Sequence, residues 1–166
     1  LCFTLGNEVI NLLFGVWLED RFSLQIGALG AVAALIGISE LGGEGLASWL
    51  ADKVGKASAV RIGIFGNILS AIALVLLGQW QWGAILSLFL FYLSFEFMLV
   101  SSLPLISEVL PQARATLMAT NIMFFSRGRA LGAIGAPWLY AAGFWGNAVA
   151  AIGLNLVGLW LLGRVR

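Results

Sequence analysis

Six stretches of about 20 mostly apolar residues, parted by short charged or glycine-rich breaks, leave this chain few ways to fold. A backbone surrounded by hydrocarbon has no water to bond its N–H and C=O groups, so each stretch must satisfy them internally, as a helix. The stretches cover about 1–18, 25–51, 59–77, 84–104, 115–140 and 144–162. Glu19-Asp20-Arg21 stops the first and Asp52-Lys53-Val54-Gly55-Lys56 the second. Gly78-Gln79-Trp80-Gln81-Trp82-Gly83 turns the third into the fourth, and a loop from Ser107 to Arg114 leads to the fifth. The fold class predicted is all-α: a polytopic membrane protein whose six transmembrane helices form one bundle over residues 1–166. No Pro/Ser-rich linker or low-complexity tract divides it.

Composition removes the main alternatives. Only 10% of residues are charged, against about 25% in a soluble domain, which rules out a water-soluble globule. Nine Lys+Arg against eight Asp+Glu supply no basic surface for a nucleic-acid backbone. The chain has no His and one cysteine, Cys2, so His-based triads, imidazole metal sites, thiolate clusters and an internal disulfide all lack parts. Neither an enzyme, a metal site nor a cofactor is expected. The opening Leu1-Cys2-Phe3 has no initiator Met and no basic segment before an apolar core, which reads as the interior of a longer gene product.

Lys53, Lys56, Arg61, Arg114, Arg164 and Arg166 gather at one set of helix ends, and Arg21 alone at the other. Short positively charged loops stay in the cytoplasm, so the Asp52 loop, the Glu108 loop and the C-terminus are placed inside. Trp17, Trp80, Trp82, Trp138 and Trp145 then lie near the outer boundary, and Trp49 and Trp160 near the inner one, where amphipathic rings prefer to sit.

An ionisable side chain at the bilayer centre costs about 2.5–3.5 kcal/mol on insertion scales, so each one needs a reason. At about 1.5 Å rise per residue, Glu8 and Glu40 lie ~16 Å from their helix ends and Arg127 ~20 Å from its own, which with Glu96 puts all four near one depth. Thr4, Asn7, Glu8 and Asn11 share one face of the first helix, at i, i+3, i+4 and i+7. That face either lines a water-filled cavity or meets polar groups of a neighbour. Tyr92 and Glu96 form a similar i, i+4 pair on the fourth helix. Asn7, Glu8, Asn11, Tyr92 and Glu96 are therefore the candidates for contact with a solute or a proton.

Glu40 and Glu44 share a face of the second helix, as proton carriers or as partners for arginines of the fifth. Arg127 and Arg129 are two residues apart, about 200° around that helix, so they serve different faces. These four are expected as buried charge partners. Gly128, Gly132 and Ala136 make a small-residue stripe for close packing, as do Ser87, Ser94 and Ser101. Leu5-Gly6-Asn7-Glu8-Val9 is echoed weakly by Leu93-Ser94-Phe95-Glu96-Phe97, the kind of match that inverted three-helix repeats would leave.

Ser48-Trp49-Leu50-Ala51-Asp52-Lys53-Val54-Gly55-Lys56 resembles the loop between the second and third helices of each half of a major facilitator superfamily transporter. Ser48 stands where that loop has Gly, and Ala57 where it has a last basic residue. Glu108-Val109-Leu110-Pro111-Gln112-Ala113-Arg114 with Gly128-Arg129-Ala130-Leu131-Gly132 is similar to the fourth-to-fifth helix region, particularly of arabinose-efflux-permease-like sequences. The resemblance implies the C-terminal six-helix half of such a transporter, with the N-terminal half as its partner. It also implies a cytoplasmic gate of Asp52, Lys53, Glu108 and Arg114. The expected function is secondary transport of a small solute by alternating access, with proton-coupled efflux as the candidate mode. The expected place is the inner (plasma) membrane of a bacterium, in contact with the lipid bilayer. A substrate-binding membrane subunit of a multi-component vitamin importer is the alternative.

Overall fold

The computed structural model describes residues 1–164, so Arg166, counted above among the inner charges, lies outside the described residues. The helices are α1 (Cys2–Asn11), α2 (Phe14–Phe22), α3 (Ile26–Val54), α4 (Lys56–Leu77), α5 (Gln81–Val109), α6 (Arg114–Tyr140) and α7 (Phe144–Arg164), with a 3-10 turn at Pro111–Ala113. No strand occurs among the described residues. Four helices, α3, α4, α5 and α7, are long and apolar enough to cross a membrane, the composition of an α-helical membrane protein.

The other two expected spans differ from the expectation. α6 has the length, at 27 residues, but Arg114, Arg127 and Arg129 with its Thr, Asn and Ser residues dilute its apolarity. The first stretch is two short helices of 10 and 9 residues. Leu13 leaves helical geometry at φ −119° and ψ −3°, and its N–H bonds Ile10 in a tighter turn before Phe14 resumes the helix. No Pro or charge marks that break, so hydropathy reads straight through it. Past it, Glu19-Asp20-Arg21 does not stop α2, which runs on to Phe22, held edge-on to Trp17 at 6.1 Å, and ends on left-handed Ser23.

Two further boundaries move. Pro104 lies inside α5, where the missing N–H removes one helical bond without ending the helix, and the Ser107 hydroxyl bonds the Pro104 carbonyl at 2.9 Å. The loop expected from Ser107 is therefore helical to Val109. α3 carries through Asp52-Lys53 to Val54, and Gly55 alone, at φ +86°, links it to α4. Lys53 in the last turn suits the negative end of the helix dipole.

α3 displays an inverted amphipathicity. Its buried residues include Ser39, Gly43, Ala47 and Ala51, a small residue at every fourth position, whereas Ile26, Ile38, Leu41 and Trp49 are exposed. Small residues facing inward and large apolar ones outward is the pattern of a helix surrounded by hydrocarbon, where association depends on close backbone approach. α6 repeats it, burying Gly128, Gly132 and Ala136 and exposing Ile122, Leu131, Ile134 and Trp138. A Cβ on Gly43 would collide with the Leu93 carbonyl of α5, and one on Gly128 or Gly132 with Thr4 or Glu8 of α1.

Counting α1 and α2 as one bent rod, the six rods pair in two matching sets. α5 packs against α3 and α4, α1 against α6 and α7, and α4 meets α7. Exchanging the first three rods with the last three leaves that scheme unchanged. Asn155 donates from Nδ2 to Asn67 Oδ1 at 2.8 Å, and these two residues are 88 positions apart. The same interval separates the first residues of α3 and α6, and of α4 and α7. It also relates two contacts: Gly66 against Ser94, and Leu154 against Gly6. With three rods in each set, equivalent rods run in opposite directions.

These crossings predict a graded response to volume. Gly43→Val should lower stability by about 1–3 kcal/mol through overpacking, while Gly37→Val, which meets nothing within 4 Å, should stay within about 0.5 kcal/mol of the parent. Unfolding by SDS in mixed micelles measures both. Equal losses would show that the α3–α5 crossing does not depend on its glycine.

Candidate functional site

The polar face of α1 is where the two sets of rods meet around a cleft. Glu8 is buried, and its Oε2 accepts a hydrogen bond from Arg129 Nε of α6 at 2.8 Å. Gly128 and Gly132 bring the α6 backbone close enough for that ion pair. One turn further along α1, Asn11 Oδ1 accepts from the hydroxyl of Tyr92 at 2.9 Å. Tyr92 is 1% exposed, and Phe14 and Phe91 hold it edge-on. Asn7 Oδ1 is shielded from water and has no donor.

The cleft itself measures about 110 Å³. Asn7, Asn11 and Thr4 line it from α1, Glu40 from α3, Phe95 and Glu96 from α5, and Phe125 and Arg129 from α6. Of the expected solute-contacting residues, Asn7, Asn11 and Glu96 form its wall, while Glu8 and Tyr92 stand behind it and fix Arg129 and Asn11. Of the four expected buried charges, Glu40 is half-buried in the wall and Arg129 reaches it from an exposed position. Glu44 and Arg127 are exposed and lie outside the wall: Glu44 is on the face of Glu40 but one turn further along α3, and Arg127 is about 200° around α6 from Arg129.

At the end of the bundle where α4 begins, Glu108 pairs with Lys56. The expected gate of Asp52, Lys53, Glu108 and Arg114 is thus only partly assembled. Lys53 places its ammonium 3.8 Å from the centre of the Trp49 ring, and neither Asp52 nor Arg114 has an ion-pair partner among the described residues. Asp52 does line a cleft of about 400 Å³ with Lys56, Leu105 and Glu108. Lys56 was legible as the second basic residue of the loop, but its partner was not. A larger depression of about 590 Å³ lies at the opposite end among the turns, lined by Trp17, Asp20, Tyr140 and Trp145.

Three asparagines escaped the sequence reading. Asn67 donates to the Phe91 carbonyl at 2.8 Å and accepts from Asn155, tying α4, α5 and α7 together. Asn147 donates to the Val9 carbonyl at 2.6 Å and the Ala136 carbonyl at 3.1 Å, tying α1, α6 and α7. All three are 2% exposed or less. Their signal was their isolation within apolar helices, where an amide needs a partner.

No family model matches the chain, and no curated protein matches it.

The Glu8–Arg129 pair should couple energetically. Arg129→Met strands a buried carboxylate and should cost about 1–3 kcal/mol, and Glu8→Gln in the Arg129→Met background should recover part of it. A double-mutant cycle on SDS unfolding is expected to give an interaction energy of at least about 1 kcal/mol. Additive losses would show that the pair does not hold α1 to α6.

Proposed function

We propose that this chain is one six-helix half of a secondary active transporter of the major facilitator type, moving a small solute by alternating access. The observation that carries this reading is the polar cleft, walled by α1, α3, α5 and α6 and shared between two sets of rods repeated at an 88-residue interval. Inverted repeats that place acids at corresponding positions around a midplane site are a transporter architecture. The opening of the cleft, where Arg129 is exposed, faces the second half, which completes the solute site. The bent α1–α2 rod and α6 complete six spans beside the four apolar helices. α6 tolerates Arg129 because that side faces the cleft and the partner half rather than lipid.

In this reading the Lys56–Glu108 pair belongs to the inner gate, formed in one state and parted in the other. Its strength alone is small, since Glu108 is well exposed, so it biases an equilibrium rather than locks it. The orientation follows the basic loops, with the C-terminus cytoplasmic, in the inner membrane of a bacterium. Proton-coupled efflux is the mode that the resemblance to arabinose-efflux-permease-like sequences implies.

Alternating access makes a prediction about single cysteines in the full-length gene product, with Cys2 replaced by Ser. A cysteine at Gln81 should react with an impermeant thiol reagent only from outside intact cells, and one at Ser58 only in inverted vesicles. A cysteine at Phe125, on the cleft wall, should react from both sides, because the cleft opens to each in turn. Labelling of the Phe125 position from one side only, or from neither, overturns alternating access. Reversal at Gln81 and Ser58 overturns the orientation.

A further inference from the structure

The two sets of rods carry different charges at equivalent positions. Gly132 of α6 lies against Leu5 O and Glu8 Cβ of α1, and Gly43 of α3 lies against Leu93 O and Glu96 Cβ of α5. Leu5 and Leu93, and Glu8 and Glu96, are separated by the same interval as Asn67 and Asn155, whereas Gly43 and Gly132 are 89 apart, one residue more, and are matched by the atoms each lies against. Three residues before each glycine stands the side chain that faces the acid: Arg129 before Gly132, and Glu40 before Gly43. Glu40 therefore stands to Glu96 as Arg129 stands to Glu8. In one set a guanidinium answers the carboxylate, and in the other a second carboxylate does.

The ion pairs among the described residues are Glu8–Arg129 and Lys56–Glu108, so neither Glu40 nor Glu96 has a cationic partner. Arg129 shares the wall of this cleft, but its Nε is bound to Glu8 Oε2, so the two carboxylates of Glu40 and Glu96, beside the shielded and unpartnered Asn7 Oδ1, leave the cleft with an excess of negative charge. The rings of Phe95 and Phe125 line the same space, and aromatic faces attract a cation. The equivalent place in the other set shows what fits such a position: the guanidinium of Arg129.

We propose that the Glu40–Glu96 side of the cleft binds the cationic head of a solute, an ammonium or guanidinium group, in the place equivalent to that of the Arg129 guanidinium. The space of about 110 Å³ suits such a head, with the rest of the solute extending toward the open side of the cleft. This inference rests on reading the cleft as the solute site and names its substrate class. A proton and the cationic head compete for the same carboxylates, so their binding is mutually exclusive, as exchange of one for the other requires.

The test uses the purified protein in lipid nanodiscs, with ethylammonium chloride as the probe, and with sodium chloride and sodium propionate at the same ionic strength for comparison. Ethylammonium should raise the thermal midpoint saturably, by roughly 2–4 °C, and the two sodium salts should not. Glu40→Gln and Glu96→Gln should each abolish the rise, and Glu19→Gln on exposed α2 should keep it. A rise with propionate, or one that survives in both cleft variants, overturns the proposal. Glu40→Arg provides a second arm should the amide variants not fold. By equivalence with Arg129 it supplies the missing guanidinium, so the midpoint should rise without ligand and the response to ethylammonium should vanish. A lower midpoint, or a retained response, overturns the equivalence. Absence of binding with two-sided labelling at Phe125 intact removes the cationic substrate and leaves the transporter; binding with one-sided labelling does the opposite.

Discussion

Close approach of helix backbones at small residues is the constraint on which the rest of this fold depends. Hydrocarbon is as apolar as a leucine side chain, so helices within it gain little by hiding leucines from their surroundings. They gain by bringing atoms into contact and by bonding polar groups that would otherwise be stranded. Gly43 lets α3 settle on α5, Gly63 lets α4 settle on Met98, and Gly128 and Gly132 let α6 settle on α1. The α4–α5 and α1–α6 crossings each place a polar group within reach of a partner, Asn67 at the Phe91 carbonyl and Arg129 at Glu8. Without Gly132 at its side, Glu8 could not lie between two backbones and still meet Arg129.

The buried asparagines follow from the same constraint. An amide in an apolar helix is costly alone and useful in a pair, because nothing nearby competes for its hydrogen bonds. Asn67 and Asn155 spend theirs on each other and on neighbouring carbonyls at the α4–α7 joint, where the two sets of rods meet. Asn147 bridges α1 and α6 from α7. These bonds fix rotation and register, which packing of smooth apolar surfaces leaves loose.

The helical class and most helix positions were legible in the sequence, since the length and apolarity of α3, α4, α5 and α7 follow from the need to satisfy a backbone without water. The ends were less so. Charges at Asp52-Lys53 and the ring of Pro104 read as stops, yet a helix emerging from an apolar layer tolerates charges in its last turn, and proline removes one bond without breaking neighbours. The break at Leu13 had no sequence mark. For the site, the polar face of α1 and the acid Glu96 could be found by periodicity, whereas the pairings could not. Which arginine meets Glu8, and which lysine meets Glu108, depends on how rods pack across the bundle, and helical spacing carries no information about that. The weak echo of Leu5–Val9 in Leu93–Phe97 acquired meaning only when the packing placed Gly132 and Gly43 against corresponding residues.

The unlike treatment of two equivalent acids has a physical logic under the proposed reading. Were both carboxylates answered by arginines, the cleft would be satisfied by its own charges and would gain nothing by taking a cation from water. Were neither answered, α1 would lose the charged tie that holds it to α6, and the bundle would carry uncompensated charge in a low-dielectric layer. Assigning the permanent cation to Glu8 and leaving Glu96 with Glu40 separates the two tasks. One pair holds the rods, and the other remains short of positive charge. The shortage is what lets a transient cation or a proton bind there and leave again as the cleft changes the side to which it opens.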